Sequence, residues 1–209
     1  ILAEATATER TAYERFNFPA GDDNHILFDI GNRQGESGAV ADARVELRFD
    51  GSVEGYVVTK PEYVNKYQAG AEVPIYFSAV LDRKPSAYGT FNGEKQTPGA
   101  NVAEGPGAGL YMTFDTEGES TPVTVKIGLS YTSVDNARLN RLSEAKDLDF
   151  DAAAARAADI WEEMLSRITV ETPSATDKTK FYTGLYHAIL GRGLANDVNG
   201  AYPRNDGTI

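Results

Sequence analysis

Arg44-Val45-Glu46-Leu47-Arg48-Phe49-Asp50-Gly51-Ser52-Val53-Glu54-Gly55-Tyr56-Val57-Val58-Thr59 reads as a β-hairpin. Val45, Leu47 and Phe49 alternate with Arg44, Glu46, Arg48 and Asp50, so an extended chain puts the apolar side chains on one face and the charged ones on the other. Asp50-Gly51 supplies the turn, and Val53–Thr59 returns.

The same period of two recurs outward from this hairpin. Ile75, Phe77, Ala79 and Leu81 form one run, Leu110, Met112 and Phe114 another. Val123, Val125, Ile127 and Leu129 alternate with Thr124, Lys126, Gly128 and Ser130. Short strands with turn signals and no helical pattern between them predict antiparallel sheets over residues 1 to about 135, most simply a β-sandwich. Two connections are long. Asn92–Pro106 is rich in Gly, Pro and Asn without apolar period, and a structureless loop of that length is either mobile or functional. Asp29–Ala41 holds Asn32, Arg33, Gln34 and Glu36, residue types that bind sugars and that also populate ordinary solvated loops.

After Ser133 the period changes. Asp149 or Asp151 can cap a helix on which Ala154, Ala158, Trp161, Leu165 and Ile168 share one stripe, where Trp161 reads as a packing residue. Thr172-Pro173-Ser174 starts a second helix with Phe181, Leu185, Ala188 and Ile189 on one face and Gly191 and Gly193 as its stop. Strands followed by helices predict two domains, the second cut short.

Charge and composition exclude several classes. Hydrophobic residues at 41% and charged residues at 24% predict a packed core. A net charge of −11 argues against nucleic acid and anionic membrane as partners. No apolar run is long enough to span a bilayer, and the sequence shows no signal-peptide pattern; because it begins at Ile1 within strand-like sequence, a signal cut away or not included fits equally. The absence of cysteine removes disulfides, thiolate catalysis and Cys-ligated zinc. An exported protein fits that composition, as does a cytoplasmic one.

Motifs with a defined chemistry are sparse. G-x-S-x-G, the P-loop and H-E-x-x-H are absent, and Gly105-Pro106-Gly107-Ala108-Gly109 precedes a strand rather than a helix, unlike a dinucleotide loop. His25 and His187 are the only histidines, too few for a multi-histidine metal site, and His187 reads as a helix-packing residue. The terminal segment from Asp197 to Gly207 is acidic, amide-rich and glycine-rich, a composition that can grip a polyol or a cation. Asp197 and Asn199 occupy the first two ligand positions of an EF-hand, but Ala201 stands at the third and no closing Glu follows. Asp-Val-Asn-Gly and Asn-Asp-Gly are equally well explained as turns.

Lys180–Gly207 (KFYTGLYHAILGRGLANDVNGAYPRNDG) resembles the start of the catalytic domain in family 92 glycoside hydrolases, the calcium-dependent exo-α-mannosidases. Thr6–Pro19, Ile26–Gly31, Ile75–Pro85, Val125–Asn140 and Trp161–Glu171 resemble family segments in the same order, so the resemblance spans nearly the whole chain. Ala201 stands where the family usually has arginine, and Pro203-Arg204 where it has Arg-Gly.

The resemblance implies a mainly β fold: an N-terminal β-sandwich (1–135), a helical linker (136–172), and the first helix of a truncated (α/α)6 barrel (173–209). It implies an inverting hydrolase of terminal α-mannosides in N-glycans or mannans, whose acid and base carboxyls stand roughly 6.5–9.5 Å apart to admit water. Calcium, held by hard oxygen ligands, would bind the mannose 2- and 3-hydroxyls. The acid, the base and most calcium ligands are expected further along the barrel, so no catalytic residue is assigned here. Asp197 and Asp206 match the motif aspartates; one is expected to hydrogen-bond a mannose hydroxyl, with Asn199, Tyr202 and Arg204 shaping the pocket, while capping of the turn is an equal reading for either aspartate. The implied partners are an α-mannoside glycan and the remainder of the catalytic domain, in a secreted, periplasmic or cell-surface protein. A non-enzymatic carbohydrate-binding sandwich, or a glycosidase for another α-linked sugar, is the competing expectation.

Overall fold

The structure is a computed structural model that describes residues 1–33, 37–116, 121–191, 193–204 and 206–209, the side chains of Asp22 and Thr121 excepted. In chain order the elements are β1 (Leu2–Ala7), β2 (Thr11–Phe18), β3 (Gly21–Asp29), β4 (Ala39–Leu47), β5 (Val53–Lys60), α1 (Glu62–Tyr67), β6 (Val73–Leu81), β7 (Ala87–Asn92), β8 (Lys95–Pro98), β9 (Val102–Glu104), β10 (Ala108–Thr116) and β11 (Thr121–Ser130), then α2 (Val134–Ala145), α3 (Phe150–Leu165) and α4 (Ala175–Ile189). The strands make a seven-stranded sheet, β1-β2-β11-β6-β5-β4-β9, and a four-stranded sheet, β3-β10-β7-β8. All pairings among the described residues are antiparallel.

Alternation closes the core between the sheets. Phe18, Val45, Val53, Phe77, Val123 and Val125 from the larger sheet meet Ile26, Phe28, Leu110, Met112 and Phe114 from the smaller. Rings pair across the gap, Phe18 with Phe114 at 6.3 Å and Phe28 with Phe77 at 6.5 Å between centroids. Each such side chain contributes roughly 1.5–3 kcal/mol by leaving water. The alternation runs past the core at both ends: Phe49 lies beyond the end of β4 and is fully exposed, and Leu129 is half-exposed at the end of β11.

The central strands of the larger sheet are covered on both faces, and this positions everything that follows. Its outer face carries α2, which packs on β11 and β6. Gly128 makes the close approach possible, because a Cβ there would stand 2.3 Å from the Ala137 carbonyl oxygen. Lys126 Nζ reaches under the helix and donates to the carbonyls of Ala145 (2.8 Å) and Leu148 (2.7 Å), a cation at the negative helix end. Tyr13, Ala145, Phe150 and Ala153 form a second small core beside it.

Sequence periodicity shows one helix between Ser133 and Ile168, whereas the structure has two. The buried residues of α2 are Ala137, Asn140 and Ala145, while Leu139 and Leu142 are exposed, so no apolar stripe marks this helix. Ser133 caps it by accepting from Asn136 N. Asp149, not Asp151, caps α3, and Ser174 caps α4. Trp161 packs against Tyr186 of α4 at 4.7 Å rather than in a core, and His187 is exposed beside Tyr186. On α4 the expected apolar face leaves Phe181 and Ala188 exposed; α3 is the element that packs against this helix, and it covers little of that face.

The stretch 92–106 is not structureless: it holds β8, which pairs with β7, and β9, which pairs with β4. Gly93, at φ +59, takes the first position of the two-residue β7–β8 turn, where a type II′ turn selects glycine. In the other long connection Arg33 is paired with Glu62, and Gln34 and Glu36 lie outside the described residues. No helix among the described residues is long and apolar enough to cross a membrane.

Candidate functional site

The segment from Asp197 to Thr208 makes two successive turns of the same construction. In the first, Gly200 N donates to Asp197 O (2.9 Å) and Asp197 N to Ala201 O (2.8 Å); in the second, Gly207 N donates to Arg204 O (3.0 Å) and Arg204 N to Thr208 O (2.8 Å). Gly200 and Gly207 sit at φ +85 and +81, where a side chain would be strained. Asn199 Oδ1 accepts from Ala201 N and Asp206 Oδ1 from Thr208 N, both at 3.0 Å. The β4–β5 hairpin uses the identical device, with Asp50 Oδ1 accepting from Ser52 N. The turn reading of these sequences is therefore the local structure.

Asp197 differs from the other residues of the loop. It is 2% exposed, and both carboxylate oxygens are taken by protein donors. Oδ1 accepts from Asn140 Nδ2 (2.7 Å), and Oδ2 from the hydroxyls of Ser130 (3.0 Å) and Thr132 (2.5 Å). Each hydroxyl has one proton, so the contact between Ser130 and Thr132 themselves is left without a donor. Asn140 Oδ1 in turn accepts from Val198 N at 2.9 Å, and Asn199 Nδ2 donates to Asn136 Oδ1 at 3.0 Å. Arg10 Nε adds a bond to Asn196 O at 2.7 Å. The loop is thus bolted to the end of β11, to α2 and to the β1–β2 turn.

The remaining residues singled out in the sequence face solvent. Asn199, Arg204 and Asp206 are exposed, and Tyr202 is 50% exposed. Thr208 donates both its hydroxyl (2.7 Å) and its N–H to Asp206 Oδ1, and these bonds hold the carboxyl below its ordinary value. Asp206 is therefore ionised at neutral pH, an acceptor only. No bond joins Tyr202, Arg204 or Asp206 to Asp197; the structure separates a buried aspartate from an exposed group of four. Ser130, Thr132 and Asn140, which hold Asp197, carry no local sequence signal, since the closest of them is 57 positions away.

Among the described residues no three His, Asp or Glu side chains lie close enough to share a cation. Asp197 is surrounded by hydrogen-bond donors, which a cation would have to displace.

The glycosyl hydrolase family 92 N-terminal domain matches residues 1–130, and the glycosyl hydrolase family 92 catalytic domain matches residues 136–209. Among solved structures, the family GH92 α-mannosidase BT3965 from Bacteroides thetaiotaomicron is 26% identical with TM-score 0.87, over 99% of this chain and 27% of that one. The same enzyme in complex with mannoimidazole gives TM-score 0.86. The GH92 family glycosyl hydrolase ccman5 is 28% identical with TM-score 0.78, over 98% of this chain and 26% of that one. The chain thus spans about a quarter of the length of these structures. No curated protein matches it.

Proposed function

The chain belongs to glycosyl hydrolase family 92, and on that premise we propose that it is the N-terminal portion of an inverting exo-α-mannosidase. Its substrate class is the terminal α-mannosides of N-glycans or mannans. The observation that carries this reading is the agreement of one fold, from β1 to the terminal loop, with an α-mannosidase over 99% of the chain. The sandwich and α2 act as a platform that fixes the loop, and the loop presents Asn199, Tyr202, Arg204 and Asp206 to a bound sugar. Asp206 accepts from mannose hydroxyls, a charge-assisted bond of the stronger kind. Asp197 does not touch sugar in this account: its oxygens are already satisfied, and it sets the loop's position.

The acid and base, and most of the calcium ligands, are assigned to residues other than these. When bound, calcium would polarise sugar hydroxyls at the reacting ring. Polymeric and glycoprotein mannosides are too large to enter a cell unaided, which supports an exported enzyme. The test is release of mannose from α-1,2-mannobiose by the polypeptide that contains this chain, compared with its Asp206→Asn variant.

A further inference from the structure

The outer face of the four-stranded sheet, on the far side of the sandwich from α2 and the terminal loop, carries a cavity of a different kind. Cross-strand register puts Leu27, Tyr111 and Gly89 in one row and Asp29, Gly109 and Phe91 in the next. The glycines matter because the aromatic rings occupy their side-chain positions. A Cβ on Gly89 would stand 2.3 Å from Tyr111 Oη, and one on Gly109 would stand 2.0 Å from Phe91 Cζ. Each ring lies across the backbone of the neighbouring strand and is held there by the sheet.

A cavity of about 350 Å³ opens over these rings, lined also by His25, Leu27, Glu94 and Gln96. That volume is at the small end of ligand pockets, about 300–1,000 Å³. Leu27 is 61% exposed, a large apolar side chain left in water at the cavity wall. Both ring nitrogens of His25 are engaged, Nδ1 with Thr113 at 3.1 Å and Nε2 with Asp23 at 2.8 Å. The side chains of Glu94 and Gln96 are exposed and make no hydrogen bond to a described residue, so their oxygens and amide are open to a ligand.

Rings laid over glycine backbone beside open amide and carboxylate groups fit a pyranose, which has an apolar C–H face and a rim of hydroxyls. An all-apolar peptide would bury Glu94 and Gln96 without partners. A nucleic acid is disfavoured by the net charge of −11. We propose that this face is a non-catalytic glycan-binding site, taking a short stretch of oligosaccharide independently of the terminal loop. It rests on the mannosidase reading only for the choice of α-mannan as first probe.

The test is affinity electrophoresis of the chain in gels with and without soluble α-mannan, with xylan and galactan gels alongside. Retardation by one of these polysaccharides is expected. Tyr111→Ala should weaken it about tenfold, equivalent to about 1.4 kcal/mol of lost stacking. Because Tyr111→Ala uncovers Gly89 and can disturb the sheet, Gln96→Ala is the second variant. It should weaken retardation about threefold with an unchanged melting temperature. Absence of retardation in every gel, or retardation unchanged in both Tyr111→Ala and Gln96→Ala, would overturn the proposal. Mannose release by the parent polypeptide is unaffected by either result, so the two readings fail separately.

Discussion

Asn140 and Asp197 clasp each other's backbone neighbourhood: Asn140 Nδ2 donates to the Asp197 carboxylate at 2.7 Å, while Asn140 Oδ1 accepts from the N–H of the next residue, Val198, at 2.9 Å. One fully buried amide thereby joins the first helix after the sandwich to the loop that follows α4. Asn140→Ala removes a donor from a buried carboxylate and an acceptor from a backbone N–H. The expected cost is about 2–3 kcal/mol, read as a fall in denaturation midpoint. An unchanged midpoint would mean the loop is not fixed by this clasp.

The sheet and α2 are joined by a second buried carboxylate. Glu54, its side chain 4% exposed, receives Arg138 Nε and Nη2 at 2.7 Å each, and the Ser78 hydroxyl at 2.9 Å. Burial alone would raise its pKa, but Arg138 and Ser78 hold it below the ordinary 4.5. A depressed folded-state pKa means this stabilisation is complete above the unfolded carboxylate's pKa and is lost as pH falls through the lower folded value. Glu54→Gln should cost about 2 kcal/mol at neutral pH, less than a fully buried pair because Arg138 is partly exposed, and should flatten the acid limb of stability. Urea melts from neutral pH down to pH 3 would show this; parallel acid limbs would contradict it.

The approach of α2 to β11 depends on Gly128. A Cβ 2.3 Å from the Ala137 carbonyl oxygen meets backbone that cannot swing aside. Gly128→Ala should therefore destabilise by about 3 kcal/mol, the upper end for overpacking. A variant as stable as the parent would show that the helix can ride outward without loss.

Trp161 is the sole tryptophan, and its ring stands 4.7 Å from that of Tyr186. Tyr186→Ala should shift its fluorescence emission to longer wavelength and cost about 1 kcal/mol. Unshifted emission would mean that α3 and α4 do not meet through this pair in solution.

Where alternation was regular, the sequence was a sufficient guide to the strands. Val45, Phe77, Leu110 and Val123 all lie in the core the period of two assigns them. The helix α2 was illegible because its buried face is built from Ala137, Asn140 and Ala145, residues chosen for close approach and hydrogen bonding rather than apolarity. β8 and β9 were hidden by glycine and proline, which mark turns but do not reveal the short strands between them. In the terminal loop the turn chemistry of Asn199-Gly200 and Asp206-Gly207 was readable, yet the burial of Asp197 was not. Its partners Ser130, Thr132 and Asn140 meet it only through the tertiary fold.

Mannose release from α-1,2-mannobiose by the polypeptide containing this chain tests whether the exposed carboxylate of Asp206 binds the sugar. The wild type is expected to release mannose, and Asp206→Asn to lower turnover by more than about tenfold, the loss of one charge-assisted hydrogen bond of about 1.4–3 kcal/mol. An Asp206→Asn variant equal to wild type would reduce Asp206 to the turn residue that Asp50 already is, and a wild type that releases no mannose would contradict the mannosidase reading itself.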